Sequence, residues 1–580
     1  MLRHLSPNGN YLWRGRRSPT RCARPRHTDR LRRLVDAPFR DEMATGYAFD
    51  EPSLLLGRPM KDGEVVADVG VSLPLSMANR HGLVAGATGT GKTKTLQILA
   101  GQLSAAGVPV FICDVKGDLT GLAQPADASS EPVRERVRQL DVAFEPRSHP
   151  VELLSLSGRL GAPVRATVSS FGPLLLGKVL DLNATQVSVL TLVFTYCDDE
   201  RLPLLDLDDL RSALRFLASD EGKPVLEHYG GFSRATIGVL LRSIVELEAS
   251  GAATFFGEPE FDVHDLLRTS PDGEGVISLL EIADVMDRPR SFSTFMLWLL
   301  AQLYAALPEE GDLPKPKLAF FFDEAHLLFD DASDALLEQI ELTARLIRSK
   351  GVGIYFVTQS PGDVPSSVLS QLGNRVQHAL RAHTPEDATK LRKTVRTFPI
   401  TTHYDVEATL TSLGIGEALV TVLTPAGVPS PLAATRLVPP DSLMDALDDA
   451  ARDELIANGA LRERYATPVD RESAHEILSR KLEGAAEAAT VASSPPLPPP
   501  PPAPEAGADA PSERGTPTER ATGEPKEPPG ATERDGASRD RSIGDHAKEI
   551  GVGFAKDLFT TADGRRTLRT VFGTLLGRKR

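Results

Sequence analysis

The chain has 580 residues, of which 41% are hydrophobic and 25% charged, and its net charge is −14. This length exceeds the roughly 100 to 200 residues of one domain, so we exclude a minimal binding module and expect two or three units with tails. The acidic balance argues against coating of nucleic acid by bulk attraction, so any contact with DNA must be local.

Three cysteines without a CxxC pair support neither a disulfide framework nor a zinc site, and they favour a reducing cytoplasm. No apolar run reaches the roughly 18 residues of a membrane-spanning helix, so integral membrane association is not expected.

The two ends of the sequence differ from its middle. Residues 1–42 hold eleven arginines and four acids, and are interpreted as a disordered arm or a mis-called start, with Met43 opening the body. Residues 493–541 are rich in proline and poor in large apolar residues, which predicts a disordered linker. Residues 542–580 predict a basic amphipathic tail helix with the apolar stripe Leu568, Val571, Phe572, Leu575 and Leu576. This helix can dock on the body or a neighbouring subunit, lie on an anionic membrane, or touch DNA.

A short apolar run at 81–85 leads into a glycine-rich loop with the full pattern GxxxxGK[ST], and helically spaced apolar residues follow. Glycines let successive backbone N–H groups turn onto phosphates, and the helix N-terminus adds its positive end. Lys92 is expected to reach the β- and γ-phosphates of ATP, and the Thr93 hydroxyl to ligate Mg²⁺. The predicted nucleotide contacts are Gly86, Ala87, Thr88, Gly89, Thr90, Gly91, Lys92, Thr93 and Thr95. A purely structural glycine turn is the alternative.

A second apolar run, at 318–322, ends in two acids and is typical of a central parallel strand covered on both faces. Asp323 is expected to hold Mg²⁺, and Glu324 to polarise a water for attack on the γ-phosphate. Paired with the glycine-rich loop, these acids predict a hydrolase. Two acids that cap the following helix are the alternative.

Three further strand-like segments, at 108–113, 275–282 and 353–357, complete the predicted sheet. Strands alternating with helices imply an α/β fold with a doubly wound parallel sheet and ligands at the carboxyl ends of its strands. Gln359 follows one of these ends and is predicted to sense the γ-phosphate, with a helix cap as the alternative. Asp114 and Lys116 follow another end, with a turn from Asp114 to Asp118 closed by Gly117 as the alternative.

The ordered series of motifs resembles the HerA/FtsK superfamily of RecA-like ring ATPases, most closely the HerA-like helicase branch typified by bacterial YjgR. The segments that carry the resemblance are 79–93, 114–118, 161–165, 171–176, 322–326, 348–353, 358–361 and 416–420. The resemblance implies a RecA-like core, ATP hydrolysis with Mg²⁺, and a homo-oligomer in the form of a hexameric ring. It also implies that Arg348 contacts a nucleotide and acts as a catalytic arginine. A surface ion pair on the helix that carries Glu341 and Arg345 is the alternative for this residue.

We therefore predict a RecA-like core in two parts, 43–124 and 273–440, separated by a mainly helical insertion at 125–272. A helical segment is expected at 441–492. The first functional hypothesis is a ring-forming DNA translocase or helicase-like motor, with a basic stretch at 381–396 lining a channel or forming a solvated helix face. The second is a nucleotide-gated interaction protein that docks a protein partner through the insertion or the tail.

Overall fold

The structure, a computed structural model, describes residues 37–493 except 230, 232, 286–287 and 330–333. The predicted tail helix at 542–580, the linker beyond Ser493 and residues 1–36 of the arginine-rich extension lie outside these residues. Except for the end of the last helix, the features below belong to the first of two compact units, which ends at Ala485. Within the described part of the chain, no helix combines the length and the apolar character needed to cross a membrane.

Thirteen strands of the described chain form one mixed sheet. In chain order these strands are β1 (Ser53–Lys61), β2 (Glu64–Val65), β3 (Val71–Pro74), β4 (Gly82–Ala85), β5 (Val110–Asp114), β6 (Val151–Ser155), β7 (Ala162–Pro163), β8 (Ile277–Glu281), β9 (Leu318–Phe322), β10 (Val352–Thr358), β11 (Asn374–His378), β12 (Glu417–Thr421) and β13 (Ala433–Leu437).

Eight of these strands are parallel and lie in the order β11-β4-β10-β9-β5-β8-β6-β7. The central strands are continuously apolar because both faces of the sheet are covered. In β9, for example, Phe320 and Phe322 enter one hydrophobic cluster while Phe321 enters another. The predicted α/β fold with a mostly parallel, RecA-like sheet is thereby confirmed.

An antiparallel extension of the sheet was not predicted. β12 pairs antiparallel with β11, β13 with β12, and β1 with β13, and β1 also carries β2 and β3. Antiparallel neighbours need no crossover helix, although β11 and β12 are joined by a connection that contains α13 and α14. The sheet is therefore mixed rather than wholly parallel.

Helices surround the sheet. They are α1 (Ala37–Gly46), α2 (Lys92–Ala105), α3 (Glu131–Leu140), α4 (Val168–Val179), α5 (Ala184–Asp199), α6 (Leu207–Ala218), α7 (Lys223–His228), α8 (Arg234–Ala249), α9 (Pro289–Ala306), α10 (His326–Phe329), α11 (Asp334–Ile347), α12 (Ser366–Leu369), α13 (Pro385–Val395), α14 (Val406–Ser412), α15 (Asp449–Ala457), α16 (Ala460–Tyr465) and α17 (Ala474–Ser493).

The segment 125–272 contains six helices, α3 to α8, and also the strands β6 and β7. Capping boxes at Asn183 and Asp206 start α5 and α6, which accounts for the break between these helices and their neighbours. β6 pairs in parallel with β8, so the segment contributes directly to the main sheet rather than forming a separate helical lobe.

The helix α1 shows that ordered structure begins before Met43. Phe39 and Met43 are 1% and 0% exposed, and the Phe39 ring lies 5.2 Å from that of His403 and 5.7 Å from that of Tyr404. The boundary predicted between residues 42 and 43 therefore falls inside a helix. A cut there would remove a buried aromatic side chain from the core.

Candidate active site

The loop between β4 and α2 has positive backbone φ angles at three positions, and each of these positions is a glycine. Gly86, Gly89 and Gly91 have φ values of 156°, 78° and 112°. A Cβ atom on Gly86 would lie 2.4 Å from the Cβ of His378, whereas one on Gly89 would have no atom within 4 Å. Thr88 and Gly89 form the exposed tip of the loop. The loop is thus packed tightly on one side and open on the other, as a phosphate cradle requires.

Lys92, the first residue of α2, folds back over this loop. Its Nζ donates hydrogen bonds to the carbonyl oxygens of Gly86 at 2.7 Å and Ala87 at 3.3 Å, and the residue is 9% exposed. Burial lowers the pKa of Lys92, and the charge of Glu324 partly opposes this effect. Because these acceptors are neutral carbonyls, an anionic phosphate would be the stronger acceptor for the same ammonium group.

The threonines of the loop and helix have different positions. Thr93 is partly exposed beside Lys92, and its metal contact stays a prediction. The Thr90 hydroxyl donates to the Ala87 carbonyl at 2.7 Å. Thr95 is 1% exposed, and its hydroxyl is hydrogen-bonded to Nε2 of His378 at 2.8 Å. The side chain of Thr95 therefore supports the loop from inside the protein, which differs from the nucleotide contact that we predicted for it.

Asp323 and Glu324 directly follow β9 and are 3% and 6% exposed. Nζ of Lys116 donates to Oε1 of Glu324 at 2.6 Å. Burial acts to raise the pKa of Glu324, but Lys116 and the nearby Lys92 outweigh it and leave this pKa below its ordinary value. Burial, with the charges of Glu324 and Asp114, raises the pKa of Asp323 to about 7. The two neighbouring acids thus have oppositely shifted pKa values, as expected of a pair with different roles.

The turn after β5 is organised by Asp114. Its carboxylate accepts hydrogen bonds from the backbone N–H groups of Lys116 at 3.1 Å, Gly117 at 2.8 Å and Leu119 at 2.9 Å. Gly117 has φ +70°. The turn interpretation of this segment is therefore supported, and the same turn presents Lys116 to Glu324.

This turn also brings three carboxylates together. One oxygen each of Asp114, Asp118 and Asp323 lies within 4.8 Å of the others. In the described part of the chain, Oδ2 of Asp323 and Oδ1 of Asp118 are buried without a hydrogen-bond partner. Carboxylate oxygens are the ligands that Mg²⁺ prefers, so the donor set and its unpartnered oxygens fit a magnesium ion.

Three side chains near this edge were missed by the sequence analysis, which gave Lys116 no role and named neither His378 nor Glu281. Glu281 ends β8 in register with Asp114, is 3% exposed, and burial with the Asp114 charge raises its pKa to about 9. Its place at the end of a predicted strand was the available signal. His378 ends β11, a strand that the sequence analysis did not predict.

Gln359 follows β10 and lies at the same edge of the sheet as the loop. Thr358 is in register with Ala85, so Gln359 comes beside Gly86, and its side chain is exposed. The short helical turn that follows is capped by Ser360 rather than by Gln359. The capping alternative for Gln359 is therefore wrong.

Arg348 is separated from the other predicted catalytic residues. It is exposed on the turn Arg348–Lys350 that precedes β10, at the amino edge of the parallel strands. The seven residues of β10 span about 23 Å between this edge and the carboxyl edge. The ion pair with Glu341 is made by Arg345, at 2.7 Å. Within one chain, Arg348 is too far from the loop to reach a nucleotide held there.

Comparisons with known proteins found one family model and several solved structures of low sequence identity. The family model described as "Helicase HerA-like C-terminal" matches residues 60–580. Among solved structures, plasmid coupling protein TrwB with a non-hydrolysable ATP analogue is 15% identical, with coverage of 69% of this chain and 97% of that chain and a TM-score of 0.43. VirB4 of Thermoanaerobacter pseudethanolicus is 14% identical, with coverage of 67% and 97% and a TM-score of 0.39. No curated protein matches the chain.

The family match includes the glycine-rich loop, the acidic pair after β9 and both parts of the parallel sheet. It covers far more than half of the chain. The narrower assignment to the branch typified by YjgR stays a prediction. The chain belongs to the HerA-like helicase C-terminal family, within the HerA/FtsK superfamily of P-loop ATPases.

Proposed function

We propose that the protein is a Mg²⁺-dependent ATP hydrolase that works as a ring-forming DNA motor in the cytoplasm. The observation that supports hydrolysis is the convergence of two sites at one edge of the sheet. The loop that ends in Lys92 follows β4, and the buried pair Asp323 and Glu324 follows β9, with only β10 between these strands. A cradle for a triphosphate and a buried acid–base pair are the two parts that hydrolysis needs.

In this proposal Lys92 exchanges its bonds to loop carbonyls for bonds to phosphate oxygens. Thr93 and Asp323 hold Mg²⁺, which when bound neutralises charge on the phosphates. Glu324, kept ionised by Lys116, accepts the proton of the attacking water. Gln359 senses the γ-phosphate from the end of β10.

The test of hydrolysis compares two site variants with a surface variant. Lys92→Ala should lose nucleotide binding, because the buried ammonium group contributes the charge of the cradle. Glu324→Gln should bind ATP and hardly hydrolyse it, and Glu227→Gln, an exposed residue of α7, should behave like wild type. Nucleotide binding and phosphate release are measured on the same preparations. Equal hydrolysis by wild type and Glu324→Gln would refute the role of Glu324.

The proposal of a ring is supported by the position of Arg348. Since this arginine is at the amino edge and the loop at the carboxyl edge, it can meet a nucleotide only from another copy of the chain. A hexamer seen by sedimentation with ATP and Mg²⁺ would agree with this proposal. Full hydrolysis by a chain that stays monomeric would contradict it.

The proposal of a DNA track is supported by one exposed basic face on and beside α13. Its side chains are Lys390, Arg392, Lys393 and Arg396. A motor couples hydrolysis to its track, so single- or double-stranded DNA should stimulate the ATPase several-fold, and added salt should abolish the stimulation. Replacement of the four basic residues by glutamine should remove the stimulation and leave the basal rate unchanged.

A nucleotide-gated interaction protein is the second proposal. It is supported by the pairing of β6 with β8, which joins the segment 125–272 to the strand next to the acidic turn. A change at the nucleotide can thereby reach the helices α4 to α8 through the sheet. An ATPase rate that DNA leaves unchanged at every salt concentration would favour this second function.

A further inference from the structure

A cavity of about 320 Å³ lies at the amino edge of the sheet, away from the nucleotide loop. It is lined by Arg80, His81, Arg345, Arg348, Gln371, Leu423 and Gly427. Arg80 and His81 directly precede β4, whereas the nucleotide loop follows β4. From His81 to Gly86 the chain spans about 16 Å, so this cavity and the nucleotide loop are separate sites in one chain.

The lining is rich in hydrogen-bond donors and poor in acceptors. Within the described residues, Nε of Arg80 and Nε2 of His81 are buried without a hydrogen-bond partner. Nδ1 of His81 accepts a hydrogen bond from the backbone N–H of Ile354 at 2.9 Å, so the ring proton is on Nε2, which is a donor. Burial lowers the pKa of His81 to about 4, so the ring is neutral near pH 7. The Ala344 carbonyl opposes this shift, although it forms no hydrogen bond of normal geometry with Nε2, and the charge of Arg80 adds to the shift.

Three guanidinium groups surround this donor, and two acids only partly neutralise them. Arg80 pairs with Asp312 at 2.9 Å, but the side chain of Asp312 is 90% exposed and shares this bond with water. Arg345 pairs with Glu341 at 2.7 Å. In the described part of the chain no ion pair involves Arg348. The cavity therefore keeps an excess of positive charge beside unpartnered donors.

We propose that this cavity binds an oxyanion of the phosphate type. Guanidinium groups present planar pairs of N–H donors that match the oxygens of phosphate, and a neutral imidazole N–H adds a further donor. The volume exceeds that of one inorganic phosphate, so a phosphate with its water, or the end of a longer phosphate chain, fits. Binding of free phosphate goes beyond the proposed ATP hydrolysis and is independent of it, whereas binding of a nucleotide's terminal phosphate rests on that proposed function.

The test uses inorganic phosphate and the Lys92→Ala background, in which the nucleotide loop no longer competes for the anion. Binding is measured by equilibrium dialysis with labelled phosphate. One phosphate should bind per chain, and Arg348→Gln should weaken binding at least about ten-fold, since it removes a charged donor. Arg80→Gln should do the same. Arg215→Gln, an exposed arginine of α6, is the matched control and should leave the affinity unchanged.

Arg348 is exposed, so its substitution tests the site even where Arg80→Gln fails to fold. The anion has two possible sources, free phosphate or the terminal phosphate of a nucleotide held by another copy. Saturable binding to single copies at low concentration identifies free phosphate. The second source, a nucleotide held by another copy, is tested in the chain that keeps Lys92. It is identified if monomers bind no phosphate, ATP causes assembly, and Arg348→Gln weakens that assembly. The proposal would be overturned if no phosphate binds to single copies and Arg348→Gln also leaves ATP-dependent assembly unchanged. Equal phosphate affinity of Arg348→Gln and Arg215→Gln would overturn it as well.

Discussion

The ion pair between Lys116 and Glu324 gives a quantitative test of the electrostatics of the site. Replacement of Lys116 by methionine removes the charge and keeps most of the apolar stem. The buried carboxylate of Glu324 then loses the hydrogen bond that Nζ of Lys116 donates to its Oε1 at 2.6 Å, while the burial that acts to raise the pKa of Glu324 remains. The pKa of Glu324 should therefore rise in the variant.

The size of this effect follows from the exposure of the two partners. A hydrogen bond to a charged group contributes about 1.5 to 3 kcal/mol. The Lys116 side chain is 48% exposed, however, so solvent screening reduces the contribution to about 1 kcal/mol. At 1.36 kcal/mol per pKa unit this corresponds to somewhat less than one unit.

The sign of the pH dependence is fixed by the lowered pKa of Glu324. A carboxyl whose pKa is lower in the folded state stabilises the protein above its ordinary pKa of 4.5, and this stabilisation is lost as the pH falls through the folded value. Lys116→Met should thus cost about 1 kcal/mol of unfolding free energy at pH 7.5, and this cost should vanish once the pH has fallen below the lowered folded-state pKa of Glu324.

Denaturant unfolding of wild type, Lys116→Met, Glu324→Gln and the double variant measures this coupling as a double-mutant cycle. Lys223→Met, an exposed lysine of α7, is the control for removal of any positive charge. The acidic limb of the pH profile of kcat/KM should also move upward in Lys116→Met. A coupling free energy of zero at pH 7.5, or one that is unchanged in acid, would refute the reasoning.

Three further predictions concern stability. Gly86→Ala should lower the melting temperature more than Gly89→Ala, because the first Cβ meets His378 at 2.4 Å and the second meets only the cost of positive φ, about 1 to 2 kcal/mol. Asp323→Asn should stabilise the nucleotide-free chain at pH 8, with a gain that shrinks toward pH 4, because a carboxyl whose pKa is raised from 3.8 to about 7 destabilises the fold increasingly between these two values and constantly above them. Thermal unfolding at both pH values measures this gain, and a gain independent of pH would contradict it. Phe39→Ala should cost about 3 to 5 kcal/mol in denaturant unfolding, and an unchanged stability would show that α1 is dispensable.

The central parts of the site could be predicted because their signals are local in the sequence. The nucleotide loop is recognised by glycines at fixed spacing before Lys92. Asp323 and Glu324 are recognised because they directly follow an apolar strand. About ten consecutive residues are enough to identify each of these two features. The partners of these parts could not be predicted in the same way. Lys116 precedes Glu324 by 208 residues, and His378 follows Thr95 by 283, so both contacts depend on strand order.

The strands that could be predicted are those whose burial on both faces requires a continuous run of apolar residues. The central parallel strands are apolar on both faces, and the runs at β5, β8, β9 and β10 are accordingly visible. β13 and β11 contain polar side chains such as Thr435 and Gln377, which are buried only because neighbouring strands cover them. Because β11 and β13 have no long apolar run, nothing in their sequences predicted these two strands.

The direction of the parallel strands gives the two edges of the sheet opposite character. Buried acids, among them Asp323 and Glu281, gather at the carboxyl edge, while Arg80 and Arg348 line the cavity at the amino edge. In the proposed function a bound nucleotide would add further negative charge at the carboxyl edge, and the amino edge of a second copy would be the complementary surface. Such head-to-tail contacts close into rings or continue into filaments, depending on the rotation between copies. A charge reversal such as Arg348→Glu should therefore weaken ATP-dependent assembly more than Arg348→Gln, and equal assembly by both variants would exclude an electrostatic contact between the two edges.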